Sequence, residues 1–181
     1  MPRLCRIAAV ILLVANLSAL PVLAGEKSHP GRVTMLPDHT LYDALLSGIR
    51  RAKKEIKGCF FIFKATNGHG NLPMALVEEL IAARKRGVNV VIELEQDALG
   101  KGSVYEQNRR AATLLSEGGV KVRFDAPKTT THVKALVIDR RFVYLGSHNL
   151  TQSALKYNNE LSVMIDSQEI ADEVSGYLDN L

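Results

Sequence analysis

Cysteine is scarce in this chain, tryptophan is absent, and no stretch of low complexity occurs. The 181 residues include only two cysteines, Cys5 and Cys59, and Cys5 lies in an N-terminal segment that we expect to be removed. A single remaining cysteine cannot form an intrachain disulfide, so the fold must be stable without one. Because Cys59 lies in the apolar run 59–63, we predict that it is a small core residue.

Two common kinds of ligand site are also missing. No His, Asp, Glu or Cys residues cluster with the spacing of metal ligands, so neither a resident metal nor a cofactor is predicted. The segment Gly100-Lys101-Gly102-Ser103 hints at a phosphate cradle but lacks the first glycine of a P-loop. We interpret it as a mobile loop in which Lys101 is a candidate contact for a polyanion.

Charged residues are absent from Ile7 to Leu23, and two arginines precede this run. Small residues end the run, so residues 1–24 are predicted to be a secretory signal peptide, cleaved after Ala24 and followed by a polar leader, residues 25–31. The alternative is an uncleaved membrane anchor, because the run approaches the length of a short spanning helix. Cleavage would make the protein periplasmic or secreted.

Loss of this segment lowers the formal net charge from +4 to +2, because the segment contains two arginines and no acidic residue. Such a mildly basic balance does not by itself identify a nucleic-acid-binding protein. With 46% hydrophobic residues in the whole chain, the remainder can bury a substantial core. We predict one domain over residues 32–181.

Apolar runs of strand length alternate with helical segments along this domain, and no internal repeat is present. Such alternation predicts an α/β sandwich with a central mixed or largely parallel sheet flanked by helices. The predicted strands cover residues 32–36, 56–65, 88–94, 120–124, 131–139, 142–145 and 159–165, and the predicted helices cover residues 38–54, 73–85, 103–117 and 168–181.

The stretch from His132 to Glu160 carries the most chemistry. His132 and Lys134 lie two residues apart on a predicted strand, so their side chains project from the same face. After a polar turn, the next strand delivers Ser147 and Asn149 near its end. An imidazole that can form a covalent adduct, a fixed positive charge, a hydroxyl and an amide are suited to phosphoryl transfer.

The spacing H-x-K-x4-D-x6-G-S-x-N from His132 to Asn149, with Glu160 eleven residues further on, resembles the phospholipase D superfamily. The agreement is greatest with its small single-motif members, the bacterial endonucleases and the mitochondrial cardiolipin hydrolases. Seven fixed positions rarely coincide by chance when each residue type occurs about once in twenty. The resemblance implies the phospholipase D-like sandwich and a phosphodiesterase that needs no metal.

The same resemblance implies a role for each residue of the site. His132 would attack phosphorus and form a phosphohistidine. Lys134 and Asn149 would bind the non-bridging oxygens, with Ser147 in a supporting role. Glu160 would accept a hydrogen bond from an imidazole N–H, which would fix the tautomer and raise the nucleophilicity of the ring.

Asp139 and Gly146 are expected to be structural members of the motif. Asp139 lies seven residues from His132, about 23 Å away along an extended strand and on the opposite face. We therefore interpret Asp139 as a turn residue that hydrogen-bonds local backbone. Candidate substrate-binding residues from the flanking loops and the interior of the motif are Lys128, Lys156, Lys101, His69 and His148.

Three functions fit these observations. The favoured one is an exported endonuclease that hydrolyses DNA or RNA. The alternative is a phospholipase D that acts on phospholipid head groups, which would need an apolar, membrane-facing rim or an interfacial helix. A catalytically inactive polyanion-binding module ranks last, because every expected position of the motif is filled.

The single copy of the motif has a consequence for assembly. In-line displacement at phosphorus needs an acid on the leaving-group side, and two-motif relatives supply both histidines from one chain. The resemblance therefore implies a two-fold symmetric homodimer in which two copies of His132 share one active site. The rival is a monomer that uses His69 or His148 as the acid.

Overall fold

The computed structural model describes residues 27–97, 102–126 and 129–181. The predicted signal peptide and the candidate contacts Lys101 and Lys128 lie outside these residues. Of the predicted polar leader, Lys27 and His29 are described, and both lie beside the Glu173 carboxylate, at 3.6 and 3.0 Å.

A mixed seven-stranded sheet is formed by the described residues, with strand order β1-β7-β6-β5-β2-β3-β4. The three strands on one side of the sheet, β2-β3-β4, are parallel, and all other neighbouring strands are antiparallel. This arrangement confirms the predicted α/β sandwich with a mixed sheet. The strands are β1 (Arg32–Pro37), β2 (Glu55–Phe60), β3 (Asn89–Leu94), β4 (Lys121–Phe124), β5 (Lys134–Ile138), β6 (Phe142–Gly146) and β7 (Leu161–Asp166).

Helices cover both faces of the sheet, because side chains that alternate along each strand supply two apolar surfaces. The first four helices contribute to the larger cluster on one face, and the last helix packs on the other face against a smaller cluster that includes Cys59. Cys59 is fully buried, as predicted. No described helix has the length and apolar character needed to cross a membrane. The helices are α1 (Thr40–Arg51), α2 (Leu72–Lys85), α3 (Ser103–Glu117), α4 (Gln152–Lys156) and α5 (Gln168–Leu178).

The sequence did not predict α4, and two predicted strands were too long. The strand predicted to reach residue 65 ends at Phe60, and the strand predicted to begin at residue 131 begins at Lys134. Beyond both ends, one hydrogen bond continues the β2–β5 register, from the Phe61 N–H to the Val133 carbonyl at 2.9 Å, and Phe63 then forms an isolated parallel bridge with Leu150. These departures all lie at the edge of the sheet that carries the motif.

Asp139 lies in the β5–β6 turn, at the opposite edge of the sheet, with a positive φ of 53°. Its carboxylate accepts the backbone N–H groups of Lys53, Lys54 and Glu55, at 2.9, 2.7 and 3.1 Å. The prediction that Asp139 is structural agrees with this geometry, but the prediction that it binds local backbone was wrong. The bonded amides lie more than 80 residues earlier in the chain, because β2 begins beside the end of β5. Asp139 therefore ties the start of β2 to the β5–β6 turn.

Candidate active site

The predicted site residues meet at one edge of the sheet. β1, β2 and β6 end there, and β5 and β7 begin there, because β5 and β7 run antiparallel to their neighbours. Phe60 pairs with Lys134, and Gly146 pairs with Ser162. Neighbouring strands lie about 4.8 Å apart. Lys134 at the start of β5, Gly146 at the end of β6 and the first residues of β7 therefore lie in one row.

His132 and Lys134 form a direct pair at this edge. The Lys134 Nζ lies 3.1 Å from His132 Nδ1 and donates to the His132 carbonyl at 2.8 Å. The imidazole is exposed, and it packs on the Phe61 ring with centroids 4.5 Å apart. Lys134 Nζ also lies 5.0 Å from the centroid of that ring, a cation–π contact. The structure thus confirms that both side chains lie on one face.

Lys134 is half-buried, and this burial lowers the pKa of its ammonium group from the ordinary lysine value. The negative charge of Glu160 acts in the opposite direction and limits the decrease. A cation that lies beside a histidine and is only partly hydrated is suited to bind an oxyanion.

Ser147 and Glu160 form a second pair. The Ser147 hydroxyl donates to the Glu160 carboxylate and accepts the Leu161 N–H at 3.1 Å. The other carboxylate oxygen of Glu160 accepts from the Asn158 amide at 3.2 Å. Among the described residues, the carboxylate makes no hydrogen bond to the His132 ring of its own chain, whose Nδ1 faces Lys134 instead. The predicted imidazole–Glu160 hydrogen bond is therefore not made within one chain.

Gly146 is required where β6 meets β7. A Cβ atom there would lie 2.6 Å from the Leu161 carbonyl oxygen and closer still to Ser162. Real Cβ atoms do not approach backbone so closely, so only glycine fits without separating the strands. The close contact places Ser147 within reach of Glu160.

The segment from Gly146 to Leu150 crosses the end of β5. Leu150 donates to the Ile62 carbonyl and accepts the Lys64 N–H, both at 2.9 Å. Lys134, His148 and Leu150 line one internal cavity of about 10 Å³. Asn149 is carried over the same edge, and its buried Oδ1 has no hydrogen-bond partner among the described residues.

His148 is a structural residue, contrary to the prediction that it could bind substrate. Its side chain is 1% exposed, and both ring nitrogens are occupied. Nε2 donates to the Asp38 carbonyl at 2.8 Å, and Nδ1 lies 2.7 Å from the Ser162 hydroxyl. Because a carbonyl only accepts, Nε2 carries the proton and the Ser162 hydroxyl donates to Nδ1 of the neutral ring. His148 therefore cannot reach a phosphodiester at the surface.

The two remaining candidates that the structure describes are exposed. His69 is exposed in the loop before α2, and Lys156 is exposed at the end of α4, with Nζ 5.3 Å from the Tyr157 ring. Sequence reasoning missed Phe61, whose ring contacts both His132 and Lys134. Phe61 lies in an apolar run that resembled a continuous strand, so no sequence signal distinguished it.

Groups of three or more His, Cys, Asp or Glu side chains that could hold a metal ion do not occur in residues 27–97, 102–126 and 129–181. Independence from metal stays a prediction. The charged and polar groups that could instead contact a phosphate at this edge are those of Lys134, Ser147 and Asn149.

Comparison with known proteins agrees with this geometry. A sequence model of the family described as "Cardiolipin synthase, PLD-like domain" matches residues 45–181. A phospholipase D from Rickettsia typhi is 31% identical over 114 residues, which cover 62% of this chain and 50% of that protein. The chain spans about half or less of the length of the curated relatives first matched.

Two solved structures share the fold. Nuc from Salmonella typhimurium, described as a phospholipase D family member, has a TM-score of 0.68 and 25% identity, covering 83% of this chain and 92% of that chain. NucT from Helicobacter pylori has a TM-score of 0.65 and 17% identity, covering 83% and 95%. The family match covers about three quarters of the sequence. The chain therefore belongs to the phospholipase D-like family, within the phospholipase D superfamily.

Proposed function

We propose that the protein is a metal-independent phosphodiesterase that acts through a phosphohistidine at His132. The observation that carries this proposal is the His132–Lys134 pair, with an exposed imidazole 3.1 Å from a half-buried ammonium group. The imidazole is a nucleophile, and the ammonium group supplies the charge that a metal ion supplies in other phosphodiesterases. Belonging to the phospholipase D superfamily supports the same chemistry.

The hydrogen bonds of the free site define what must change when substrate binds. Because an ammonium group only donates, His132 Nδ1 accepts from Lys134, and the neutral ring carries its proton on Nε2. A phosphate oxygen is a better acceptor for Lys134 than the imidazole is. Once Lys134 turns to the phosphate, the ring proton can move from Nε2 to Nδ1. Nε2 can then present its lone pair to phosphorus.

Displacement would then occur in two steps. The His132 nitrogen forms a bond to phosphorus while the bond from phosphorus to the leaving oxygen breaks, and an acid protonates that oxygen. The conjugate base of this acid then takes a proton from water, whose oxygen attacks phosphorus and releases His132 and a phosphomonoester. Lys134 and the Asn149 amide stabilise the charge on the non-bridging oxygens in both steps.

A second copy of the chain is the proposed source of the acid. His148 is buried and hydrogen-bonded at both nitrogens, which argues against it. In a two-fold symmetric dimer the partner subunit's His132 would face the leaving oxygen. An exposed apolar surface formed by Val33, Met35 and Leu161, each more than half exposed, lies on the outer strands beside the site and could be covered in such a dimer.

Nucleic acid is the proposed substrate of an exported enzyme. The exposed Lys156–Tyr157 pair lies at the C-terminal end of α4, three residues before Glu160, and offers a cation and an aromatic ring of the kind that binds single strands. Phospholipid is the second candidate. The observation that favours it is the same apolar surface of Val33, Met35 and Leu161, which could instead contact a membrane. The third candidate is a polyanion-binding module without catalytic activity.

The test compares substrates in parallel. Protein purified without the signal peptide is incubated with plasmid DNA, RNA and phospholipid vesicles, all in the presence of EDTA. Hydrolysis of a nucleic acid in EDTA is expected, and hydrolysis of the lipid alone would support the second candidate. Loss of all activity in EDTA, restored by a divalent ion, would contradict the metal-independent mechanism.

Rapid quenching with a ³²P-labelled substrate tests the nucleophile. The expected intermediate is a protein-bound phosphate that is stable to base and labile to acid, present in the native protein and absent from His132→Ala. The matched control is His29→Ala, which removes a histidine beside α5. Turnover by a folded His132→Ala protein would refute the assignment.

Two further measurements test assembly and export. Sedimentation at catalytic concentrations should give a dimer, and dimers mixed from native and His132→Ala chains should lose activity, whereas a fully active monomer would contradict the shared site. Protein recovered from the native host should begin at Gly25, and intact Met1 in the membrane fraction would favour the anchored alternative.

A further inference from the structure

Three polar side chains are buried directly beneath the segment that carries His132. Glu95, Asn108 and Asp125 are 3%, 0% and 4% exposed. Burial of a carboxylate or an amide is unfavourable unless its hydrogen bonds are satisfied, so such a cluster needs a structural reason. The motif residues described above do not include any of the three.

Asn108 joins three chain segments. It projects from α3, and its Oδ1 accepts the Phe63 N–H at 2.7 Å. Its amide nitrogen donates to the Phe61 carbonyl at 2.9 Å and to the Glu95 carbonyl at 2.8 Å. The side chain thus uses both N–H donors and its oxygen. It fixes the backbone that carries the Phe61 ring, on which His132 packs.

Glu95 reaches the other side of His132. One carboxylate oxygen accepts the Asp97 N–H at 3.1 Å, and the other accepts the N–H of Thr131, the residue before His132. Burial raises the pKa of the Glu95 carboxyl, and the neighbouring Asp125 adds to the increase. Asp125 in turn accepts the Gln96 N–H at 3.2 Å. The Glu95 carboxylate therefore anchors the Thr131 backbone from within the core.

His132 itself lies outside any strand. β5 begins two residues later, and the one backbone hydrogen bond nearby is that of Phe61 to Val133. Besides its contacts with Lys134, the exposed imidazole is therefore placed by what holds two of its neighbours, the Thr131 amide and the Phe61 ring. Both are held by the buried cluster.

We propose that Glu95 and Asn108 are positioning residues for His132: Glu95 fixes the backbone before the histidine, and Asn108 fixes the aromatic ring on which the histidine packs. This inference rests on the proposed role of His132 as the nucleophile. In-line attack requires the reacting atoms to be aligned, and a displacement of about 1 Å can lower the rate roughly 100-fold. Loss of either anchor should therefore reduce kcat without removing any group that touches the phosphate.

The first variants are isosteric. Glu95→Gln keeps the size of the side chain but leaves one acceptor for two N–H groups, and Asn108→Asp removes both donors. On a small substrate such as bis(p-nitrophenyl) phosphate, each is expected to lower kcat by about 10- to 100-fold with KM changed less than about twofold. The matched control is Asp139→Asn, a similar carboxylate-to-amide change at the opposite edge of the sheet, which should keep kcat. An unchanged kcat in folded Glu95→Gln would overturn the proposal.

Measurements that do not depend on turnover separate this inference from the proposed function. In native protein, the Thr131 amide should exchange slowly with solvent although it lies outside the strands, and rapid exchange would overturn the proposed anchor even if no variant folds. The ¹³C relaxation of the His132 ring should show greater mobility in Glu95→Gln and not in Asp139→Asn. If the native protein hydrolyses no phosphodiester, the proposed function fails. Unchanged mobility of the His132 ring in Glu95→Gln would refute the positioning role, whether or not the protein is active.

Discussion

Replacing Asp139 should destabilise the protein and leave catalysis intact, although Asp139 belongs to the motif. Its carboxylate accepts three backbone N–H groups, from Lys53, Lys54 and Glu55, at the edge of the sheet opposite His132. Asparagine retains one acceptor oxygen and tolerates the positive φ of 53°. Alanine retains no acceptor and is strained in that conformation.

The expected magnitudes follow from these contacts. Hydrogen bonds to a charged group contribute about 1.5–3 kcal/mol, and the exposed Lys53 and Lys54 amides can recover water in the variants. Asp139→Asn should therefore lower the free energy of unfolding by about 1–2 kcal/mol. Asp139→Ala should lower it by about 3 kcal/mol, because left-handed strain adds about 1 kcal/mol. For a chain of this length, 1 kcal/mol corresponds to about 2–4 °C in Tm.

Urea unfolding and thermal scans measure the loss of stability, and phosphodiester hydrolysis well below the lower Tm measures activity per folded molecule. The reasoning predicts the order native, Asp139→Asn, Asp139→Ala in stability and equal kcat in all three. If Asp139→Asn were inactive with an unchanged Tm, Asp139 would have to act at the site, and the structural assignment would be refuted.

Three further expectations concern the site and the core. Because burial lowers the pKa of Lys134 below the ordinary lysine value of 10.5, kcat/KM should decline as the pH rises through that lowered pKa. Any residual activity of Lys134→Arg should lack this decline, since arginine stays charged. Gly146→Ala should lower stability by ~1–3 kcal/mol in urea unfolding and reduce activity, because its Cβ would meet the Leu161 carbonyl at 2.6 Å; a fully stable and active variant would contradict the close β6–β7 contact. Burial raises the pKa of the Cys59 thiol to about 12, so Cys59 should react with iodoacetamide near neutral pH only after unfolding, and alkylation of the folded chain would contradict its burial.

The spacing of short motifs predicted the centre of the site well. Side chains two residues apart on an extended backbone lie on the same side, and this relation is local. The contact between His132 and Lys134 could therefore be deduced without knowledge of the fold. The alternation of apolar runs predicted the layers of the sandwich for the same reason. What failed was the end of β2 and the start of β5, because the Phe61 carbonyl accepts from the Asn108 side chain and Phe63 pairs with Leu150, and these contacts depend on the position of distant segments.

The partners of buried polar groups could not be predicted from sequence. Asp139 accepts amides that precede it by more than 80 residues, and Glu95 reaches Thr131, 36 residues later. One signal was nevertheless present. Asn108 occupies the same helical face as the buried Ala111, Ala112 and Leu115, and a polar residue on an apolar face of a helix indicates a buried hydrogen-bonding role.

The contact between Asp38 and Glu160 affects where the chain can be shortened. Asp38, which follows β1 and has a φ of 49°, exchanges two hydrogen bonds with the backbone of Glu160: its N–H donates to the Glu160 carbonyl at 2.9 Å, and its carboxylate accepts the Glu160 N–H at 3.0 Å. The Asp38 carbonyl also accepts from His148, between Ser147 and Asn149. The family match begins only at residue 45. An expression boundary placed there would keep every residue of the motif and still lose the strand and the aspartate that hold Glu160 and His148 in place.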